Sequence, residues 1–309
     1  MNNLINIINI LNDLSNSILE LEIKKFDKCE KDLNALVFLN EIKHLLYIDE
    51  VEKYEVLNNK LICLEDIFKK ILFTDKFEFI FSGSLSKYTY IDGYSDVDIF
   101  FPICKQEPFK RTPNDSLVSL ASKLFHMGIY DYSLSEKKNS LVGRFNNIKV
   151  DLVPVVYSSN YLLFPSTGGS EWNKIYPNKT INKLVQNNSE RAKLLITLIR
   201  IFKLVFYKLY NLTQIKGYHI EMLAINSLSD NTSFKITDAF LYGLESIKKK
   251  ILYQIIDETQ QYEFIDQNLG QSNSEERIDI SLKLNDIIND FKRAERYRLH
   301  VPDCKLCIL

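Results

Sequence analysis

The stretch FSGSLSKYTYIDGYSDVDIFF, residues 81–101, combines a Gly-Ser pair with two aspartates, Asp96 and Asp98, that are separated by a single valine in an apolar run. In a β-strand, residues two apart face the same side, so Asp96 and Asp98 would project together while Val97 and Ile99 pack on the opposite face. Carboxylates are costly to bury without a partner. The spacing therefore predicts a cation site on the polar face of a strand.

A later valine-rich segment, NIKVDLVPVV, offers a third carboxylate. Alternation gives this segment two faces, one with Ile148, Val150 and Leu152 and the other with Lys149, Asp151 and Val153. If the two strands are neighbours in one sheet, Asp151 joins Asp96 and Asp98. Three carboxylates at one point repel unless divalent cations neutralise them, and hard oxygen ligands suit Mg²⁺ or Mn²⁺. The trio predicts a site with two such ions for phosphoryl transfer, one ion binding a nucleoside triphosphate and the other activating an attacking hydroxyl.

The Gly-Ser pair fits the same chemistry. At the end of a strand, Gly83 lets the backbone approach a phosphate closely, and the N–H groups and hydroxyl of Ser84 can hold the β- and γ-phosphates. Lys87 is placed to add a positive charge. Gly-Ser alone and two aspartates alone are weak signals. Their combination, twelve residues apart and followed by the VDLVP segment, is specific.

The surrounding pattern predicts the elements that must position these residues. The segments FEFIFSGS, DVDIFFP and NIKVDLVPVV are typical of strands, and SLVSLASKLFHMG of an amphipathic helix with glycine just past its end. Apolar residues from Leu4 to Leu21 recur at helical spacing, which predicts an opening amphipathic helix. After about residue 175 the chain is helical in pattern, through NSERAKLLITLIRIFKLVFYKLY, GYHIEMLAINSL, DAFLYGLESIKKKILYQII and ERIDISLKLNDIINDFKRAERYR.

These elements predict an α+β fold with two domains. Residues 1–165 would form a strand-rich domain that begins with the long helix, and residues 166–309 a helical domain, with a cleft between them. In the apolar helix around residue 200, a polar stripe is expected to face that cleft, and the alternative is a solvated helix edge. The stripe consists of Thr197, Arg200, Lys203 and Tyr207.

The net charge, the apolar segments and the cysteine content of the chain limit the classes of protein to which it can belong. With 39 basic and 40 acidic residues the formal net charge is −1, which argues against a protein whose main task is to hold a nucleic-acid backbone. The most apolar stretch, residues 194–206, is too short to span a bilayer, and the amino terminus has no signal-peptide pattern, so we expect a cytoplasmic protein without a membrane partner. Five cysteines do not form a disulfide framework, and whether His300, Cys304 and Cys307 bind a metal is left open.

GSLSKYTYIDGYSDVDIFF together with VDLVP resembles the polymerase-beta-type nucleotidyltransferase superfamily. Within it, the chain is most similar to the cGAS/DncV-like nucleotidyltransferases, bacterial relatives of cyclic GMP-AMP synthase and oligoadenylate synthetase. The resemblance covers about residues 75 to 295. It includes FPSTGGSEWNKIYPN, similar to the family's loop with a tryptophan followed by a proline. It also includes LIRIFKLV and GYHIEML, similar to its arginine-and-lysine helix and its tyrosine-histidine helix start.

The resemblance implies a polymerase-beta-like mixed sheet with flanking helices and a helical carboxyl-terminal domain. It implies that Asp96, Asp98 and Asp151 are the catalytic, metal-binding triad and that Gly83 and Ser84 hold the triphosphate. It further implies that Lys203 contacts phosphate and that Tyr218 stacks on a nucleobase; Arg200 and Lys87 are nucleotide-binding candidates from their position. One departure concerns the turn, where the family usually has glycine and this sequence has Tyr88.

Three functions are compatible with these residues. The first is a synthase that joins ATP or other nucleoside triphosphates into a cyclic di- or oligonucleotide second messenger and releases pyrophosphate, as in bacterial anti-phage signalling (CBASS). Its effector would bind the product rather than this chain, and we expect a monomer. The second is a template-independent RNA or tRNA nucleotidyltransferase, which the charge balance disfavours. The third is an inactive nucleotide-binding protein, which the intact carboxylates disfavour.

Overall fold

The computed structural model describes Asp66, Lys69, Lys70 and residues 80–91, 94–103, 111–135, 139–145, 148–157, 161–166, 168–190, 194–228 and 236–299. The helix predicted from Leu4 to Leu21, the five cysteines and His300 lie outside these ranges. Within the described residues the chain forms two compact units, one of residues 66–186 with 256–265 and one of residues 187–255 with 266–299. The domain boundary predicted at residue 165 stays a prediction.

The strand-rich unit contains seven strands among the described residues. They are β1 Ile80–Phe81, β2 Val97–Pro102, β3 Tyr132–Leu134, β4 Leu141–Phe145, β5 Ile148–Tyr157, β6 Leu162–Pro165 and β7 Trp172–Ile175. Five of them follow the order β1-β2-β5-β4-β3, while β6 pairs with β5 and with β7. The β2–β5 pair is parallel and the other pairs are antiparallel, so the sheet is mixed.

The helices complete an α+β fold. From residue 80 onward, the described residues form the helices α1 Gly83–Ser86, α2 Pro113–His126, α3 Pro177–Glu190, α4 Leu194–Leu204, α5 Gly217–Ser227, α6 Ile236–Lys250 and α7 Glu275–Leu299, with a π-helical turn at Val205–Leu209 and a 3₁₀ turn at Gln267–Leu269. The predicted combination of a mixed sheet with flanking helices is therefore confirmed. In the described part of the chain, no helix has the length and apolar character needed to cross a membrane.

The apolar side of α2 packs against one face of the sheet and buries it. Leu117, Leu120 and Leu124 of this helix lie in one buried cluster with Val97 and Ile99 of β2. The start of α2 is defined locally by a capping box between Thr112 and Asp115, with proline at the first helical position. Since successive strand residues alternate, burial of this face directs the intervening residues of β2 and β5 to the other side of the sheet.

The helical unit has a polar centre around Arg277, whose side chain is fully buried. Its Nη1 donates to Asp266 Oδ2 at 2.7 Å and to the carbonyls of Ile251 and Tyr253 at 2.9 and 3.0 Å. These bonds explain an error in the sequence prediction, which extended α6 to Ile256. The helix ends at Lys250 because the next carbonyls are used by Arg277 rather than by further helical turns.

His219 of α5 borders the same polar centre and is almost completely buried. Its Nε2 lies 3.4 Å from Asp266 Oδ2, yet neither ring nitrogen makes a hydrogen bond within the described residues. Burial lowers the pKa of His219 to about 4; the Asp266 carboxylate opposes this shift and the Arg277 guanidinium adds to it. The imidazole is therefore neutral at physiological pH.

Candidate active site

Asp98 and Asp151 meet on the polar face of the sheet. In the parallel β2–β5 pair, Asp98 is the register partner of Asp151, and the flanking partners are Val97 with Val150 and Ile99 with Leu152. Register partners in adjacent strands point to the same side of the sheet. The two strands are thus neighbours, as the predicted site requires, and their pairing brings two of the predicted carboxylates together.

Gly83 lies against Asp98. β1 pairs with β2 so that Phe81 is opposite Ile99, and the Ser82 N–H donates to the Asp98 carbonyl at 2.9 Å. The chain then turns at Gly83 with a φ of 58°, a conformation that favours glycine. A β-carbon at this position would lie 1.8 Å from Asp98 Oδ2, so only glycine fits between the turn and the carboxylate.

Asp96 directly precedes β2 and forms an ion pair with a lysine of β5. The Lys149 ammonium of β5 donates to Asp96 Oδ2 at 2.7 Å, and both side chains are 46% exposed. This hydrogen bond raises the pKa of Lys149, with further contributions from the negative charges of Asp96, Asp151 and Asp98. Lys149 was not among the sequence candidates, although the alternation of β5 already placed it on the same face as Asp151.

Asp151 is partly buried, and burial raises its pKa to about 6; Asp96 adds to the shift and Lys149 opposes it. Its Oδ1 is buried without a hydrogen-bond partner among the described residues. In the described part of the chain, no three histidine, cysteine, aspartate or glutamate side chains are already grouped as a metal site. Nevertheless, adjacent carboxylates with a buried, unbonded oxygen fit a hard divalent cation.

The turn after Gly83 contains the other triphosphate candidates. Ser84 and Lys87 are both half-buried, and the Thr89 N–H closes the turn on the Ser84 carbonyl at 2.9 Å. Tyr88 has a φ of 58° and is 56% exposed. Tyr88 therefore adopts the left-handed conformation that favours glycine, at a cost in backbone strain. The phosphate contacts of Ser84 and Lys87 stay predictions.

The remaining candidates belong to the helical unit. Arg200 and Lys203 of α4 are both buried, so neither lies on a solvated helix edge. The Lys203 ammonium donates to Glu221 Oε1 of α5 at 2.8 Å, and both side chains are only 2% exposed. The sequence pattern did not identify Glu221. Tyr218 is half-buried near the start of α5. The nucleotide-binding roles of Tyr218, Arg200 and Lys203 stay predictions.

One stretch of the chain matches a known protein family. Residues 64–188, which include β1, β2 and β5, match the model of the Second Messenger Oligonucleotide or Dinucleotide Synthetase domain. No curated protein matches the chain by sequence.

Several solved structures share the fold. The E. coli MS115-1 CdnC, solved with ATP, has a TM-score of 0.56 and 17% identity, over 85% of this chain and 88% of that one. The Rhodothermus marinus CdnE c-UMP-AMP synthase, solved with Apcpp and Upnpp, has a TM-score of 0.53 and 18% identity, over 75% and 92%. The Vibrio cholerae di-nucleotide cyclase DncV, solved as a mutant in complex with ATP and GTP, has a TM-score of 0.54 and 12% identity, over 93% and 83%.

Proposed function

Because residues 64–188 match the model of the Second Messenger Oligonucleotide or Dinucleotide Synthetase domain, we propose that the chain is a cGAS/DncV-like nucleotidyltransferase that joins nucleoside triphosphates into a cyclic di- or oligonucleotide. Pyrophosphate would be released at each transfer. We further propose that the product is a second messenger in anti-phage defence, read by an effector that binds the product rather than this chain.

The pairing of Asp98 with Asp151 supports this proposal most strongly. Two carboxylates in register, beside a glycine turn that admits no side chain, form a surface for cations and phosphates rather than for an apolar ligand. Asp96, Asp98 and Asp151 would hold Mg²⁺ or Mn²⁺, and two such ions, when bound, neutralise phosphate charge and make an acceptor hydroxyl more acidic.

The chain's own residues would bind and orient the triphosphate. Gly83 lets the backbone approach the phosphates, and Ser84 and Lys87 hold them. In the transfer, the acceptor hydroxyl oxygen forms a bond to the α-phosphorus while the bond from that phosphorus to the bridging oxygen breaks. Pyrophosphate leaves with the electron pair, and the hydroxyl proton passes to solvent or to an adjacent carboxylate. Arg200, Lys203 and Tyr218 are proposed to contact phosphate and base.

Nucleoside triphosphates are the proposed substrates because similar folds were solved with them, including ATP in CdnC and ATP with GTP in DncV. Those ligands belong to the neighbours, and their use by this chain is part of the proposal. A triphosphate as donor also agrees with the phosphate-binding role proposed for Gly83 and Ser84.

Pyrophosphate release tests the proposal. The purified chain is incubated with the four ribonucleoside triphosphates and Mn²⁺, and pyrophosphate is measured for the wild type, Asp98→Asn, Asp151→Asn and Asp131→Asn. Asp131 is an exposed carboxylate of the same unit and serves as the matched control. We expect release by the wild type and Asp131→Asn and a loss of at least about 100-fold in the other two. Equal release by all four proteins would contradict the assignment.

A further inference from the structure

Lys149 is a cation placed among the residues proposed to bind cations. Its ammonium lies 2.7 Å from Asp96 Oδ2, and nearly half of each side chain is exposed to solvent. On β5 it stands two residues before Asp151 and therefore on the same face of the sheet. The ammonium also interacts electrostatically with Asp98 and Asp151. One side chain thus supplies positive charge to the whole carboxylate group.

The neighbouring strand favours this placement. On β4, Arg144 is the register partner of Lys149, so two positive side chains stand directly opposite each other across an antiparallel pair. Like charges at opposed positions destabilise a sheet, whereas a carboxylate on the other side of Lys149 relieves the repulsion. The row therefore runs from Arg144 through Lys149 to Asp96, with the ammonium drawn toward the carboxylate.

We propose that Lys149 is a positioning residue that holds Asp96 and competes with the divalent cation for its carboxylate. This inference rests on the proposed function, because it assumes that Asp96 is a ligand of that cation. Asp96 Oδ2 cannot give its full negative charge to the ammonium and to a metal ion at the same time. A cation at Oδ2 would displace the ammonium, and a cation at Oδ1 would share the negative charge of the carboxylate with it, so either mode of metal binding weakens the bond to Lys149.

The exposure of the pair makes such an exchange feasible. Exposed ion pairs are weak, and each partner can be solvated when the bond breaks. The Lys203–Glu221 pair is the opposite case, because both of its side chains are 2% exposed and separation would leave two charges in the interior. Lys149 is thus suited to hold Asp96 in the metal-free protein and to release it to a divalent cation.

Direct measurement of Mn²⁺ binding tests the inference without turnover. Mn²⁺ is titrated into the full chain and free Mn²⁺ is followed by electron paramagnetic resonance for the wild type, Lys149→Met, Lys149→Arg and Arg144→Met. Arg144→Met removes a positive charge from the same row but leaves the bond to Asp96. Because an exposed ion pair corresponds to at most about a fivefold change in an equilibrium constant, we expect Lys149→Met to bind Mn²⁺ about three- to fivefold more tightly. Lys149→Arg and Arg144→Met should stay within about twofold of the wild type.

Thermal unfolding in EDTA supplies a second readout. Lys149→Met should lower the Tm by about 2 °C, because three carboxylates lose their counter-charge, and Mn²⁺ should restore it. Unchanged or weaker Mn²⁺ binding by Lys149→Met, or equal tightening by Arg144→Met, would overturn the inference while leaving the proposed function intact. Absence of Mn²⁺ binding in every protein, the wild type included, would overturn both.

Discussion

Gly83 and Asp98 are in such close contact that a single β-carbon added to the glycine would lie 1.8 Å from the carboxylate oxygen. The contact joins the turn proposed to hold phosphate to the carboxylate proposed to hold a cation. Since Asp98 is also the register partner of Asp151, a shift at Gly83 is passed directly to the centre of the site.

Gly83→Ala is therefore expected to displace Asp98 and to lower the rate of pyrophosphate release by about 100-fold or more, since displacements near 1 Å can have effects of this size. The matched control is Gly128→Ala. Gly128 also has a positive φ, 79°, but a β-carbon added there would meet open space, with no atom within 4 Å.

In urea unfolding, Gly128→Ala should lower the free energy of unfolding by about 1 kcal/mol through backbone strain, and Gly83→Ala should lower it by more, because the clash with Asp98 adds to the strain. Only Gly83→Ala should lose activity. Full activity in Gly83→Ala would show that the contact with Asp98 does not matter for turnover.

The buried pair of Lys203 and Glu221 predicts a pattern of stability changes. Glu221→Gln leaves the Lys203 ammonium buried without its carboxylate, which should destabilise the protein by about 3 kcal/mol. A Lys203→Met, Glu221→Leu double variant should lower the free energy of unfolding by less than the sum of the two single changes, because the two opposite charges of the pair are removed together. Urea unfolding of the wild type, Glu221→Gln, Lys203→Met, Glu221→Leu and the double variant measures these changes. Additive losses in the double variant would argue against the coupling.

The positive φ of Tyr88 predicts that glycine is the better residue for stability at this position. Tyr88→Gly removes left-handed strain, whereas Tyr253→Gly, at a residue of similar exposure and with ordinary φ, only adds backbone freedom to the unfolded chain. We expect Tyr88→Gly to be the more stable of the two by about 1 kcal/mol in thermal or urea unfolding. A Tyr88→Gly variant as unstable as Tyr253→Gly would contradict the strain at Tyr88.

The buried His219 predicts a dependence of stability on pH. Its pKa is lowered from 6.5 to about 4 in the folded chain, so between these pH values the unfolded chain binds the proton more readily. The contribution of the neutral imidazole to the free energy of unfolding is therefore complete above pH 6.5. It decreases by an amount on the order of 3 kcal/mol as the pH falls toward 4. Unfolding free energies measured from about pH 4 to 7 should depend less on pH in His219→Gln than in the wild type.

The exposed His126 provides the control for this measurement, and His126→Gln should keep the pH dependence of the wild type. The groups that face His219 are the Asp266 carboxylate and the Arg277 guanidinium, and both remain in the His219→Gln variant. Parallel pH profiles for the wild type and His219→Gln would contradict the assignment of a neutral, buried imidazole.

The strands β2 and β5, and the faces on which Asp98 and Asp151 stand, could be predicted because their signal is local. Alternation in DVDIFFP and NIKVDLVPVV decides which residues face the core, and burial of Val97, Ile99, Val150 and Leu152 confirms it. The resemblance to cGAS/DncV-like nucleotidyltransferases is confirmed by the domain match over residues 64–188.

Other features depend on how distant parts of the chain come together. Glu221 could not be recognised as the partner of Lys203, because the contact joins two helices whose packing the sequence pattern does not specify. The end of α6 at Lys250 depends on Arg277, which is 26 residues beyond Ile251. Lys149 was visible as a residue on the polar face of β5, but only the structure shows that it binds Asp96.

Above all, we propose that this chain makes a cyclic nucleotide product at the Asp98–Asp151 site. The most direct measurement is to incubate the purified chain with all four ribonucleoside triphosphates and Mg²⁺ or Mn²⁺, treat the mixture with phosphatase, and identify the remaining nucleotides by mass spectrometry. We expect a phosphatase-resistant cyclic di- or oligonucleotide that is absent with Asp98→Asn. Complete conversion to nucleosides, or transfer of label to added tRNA in its place, would contradict the proposal.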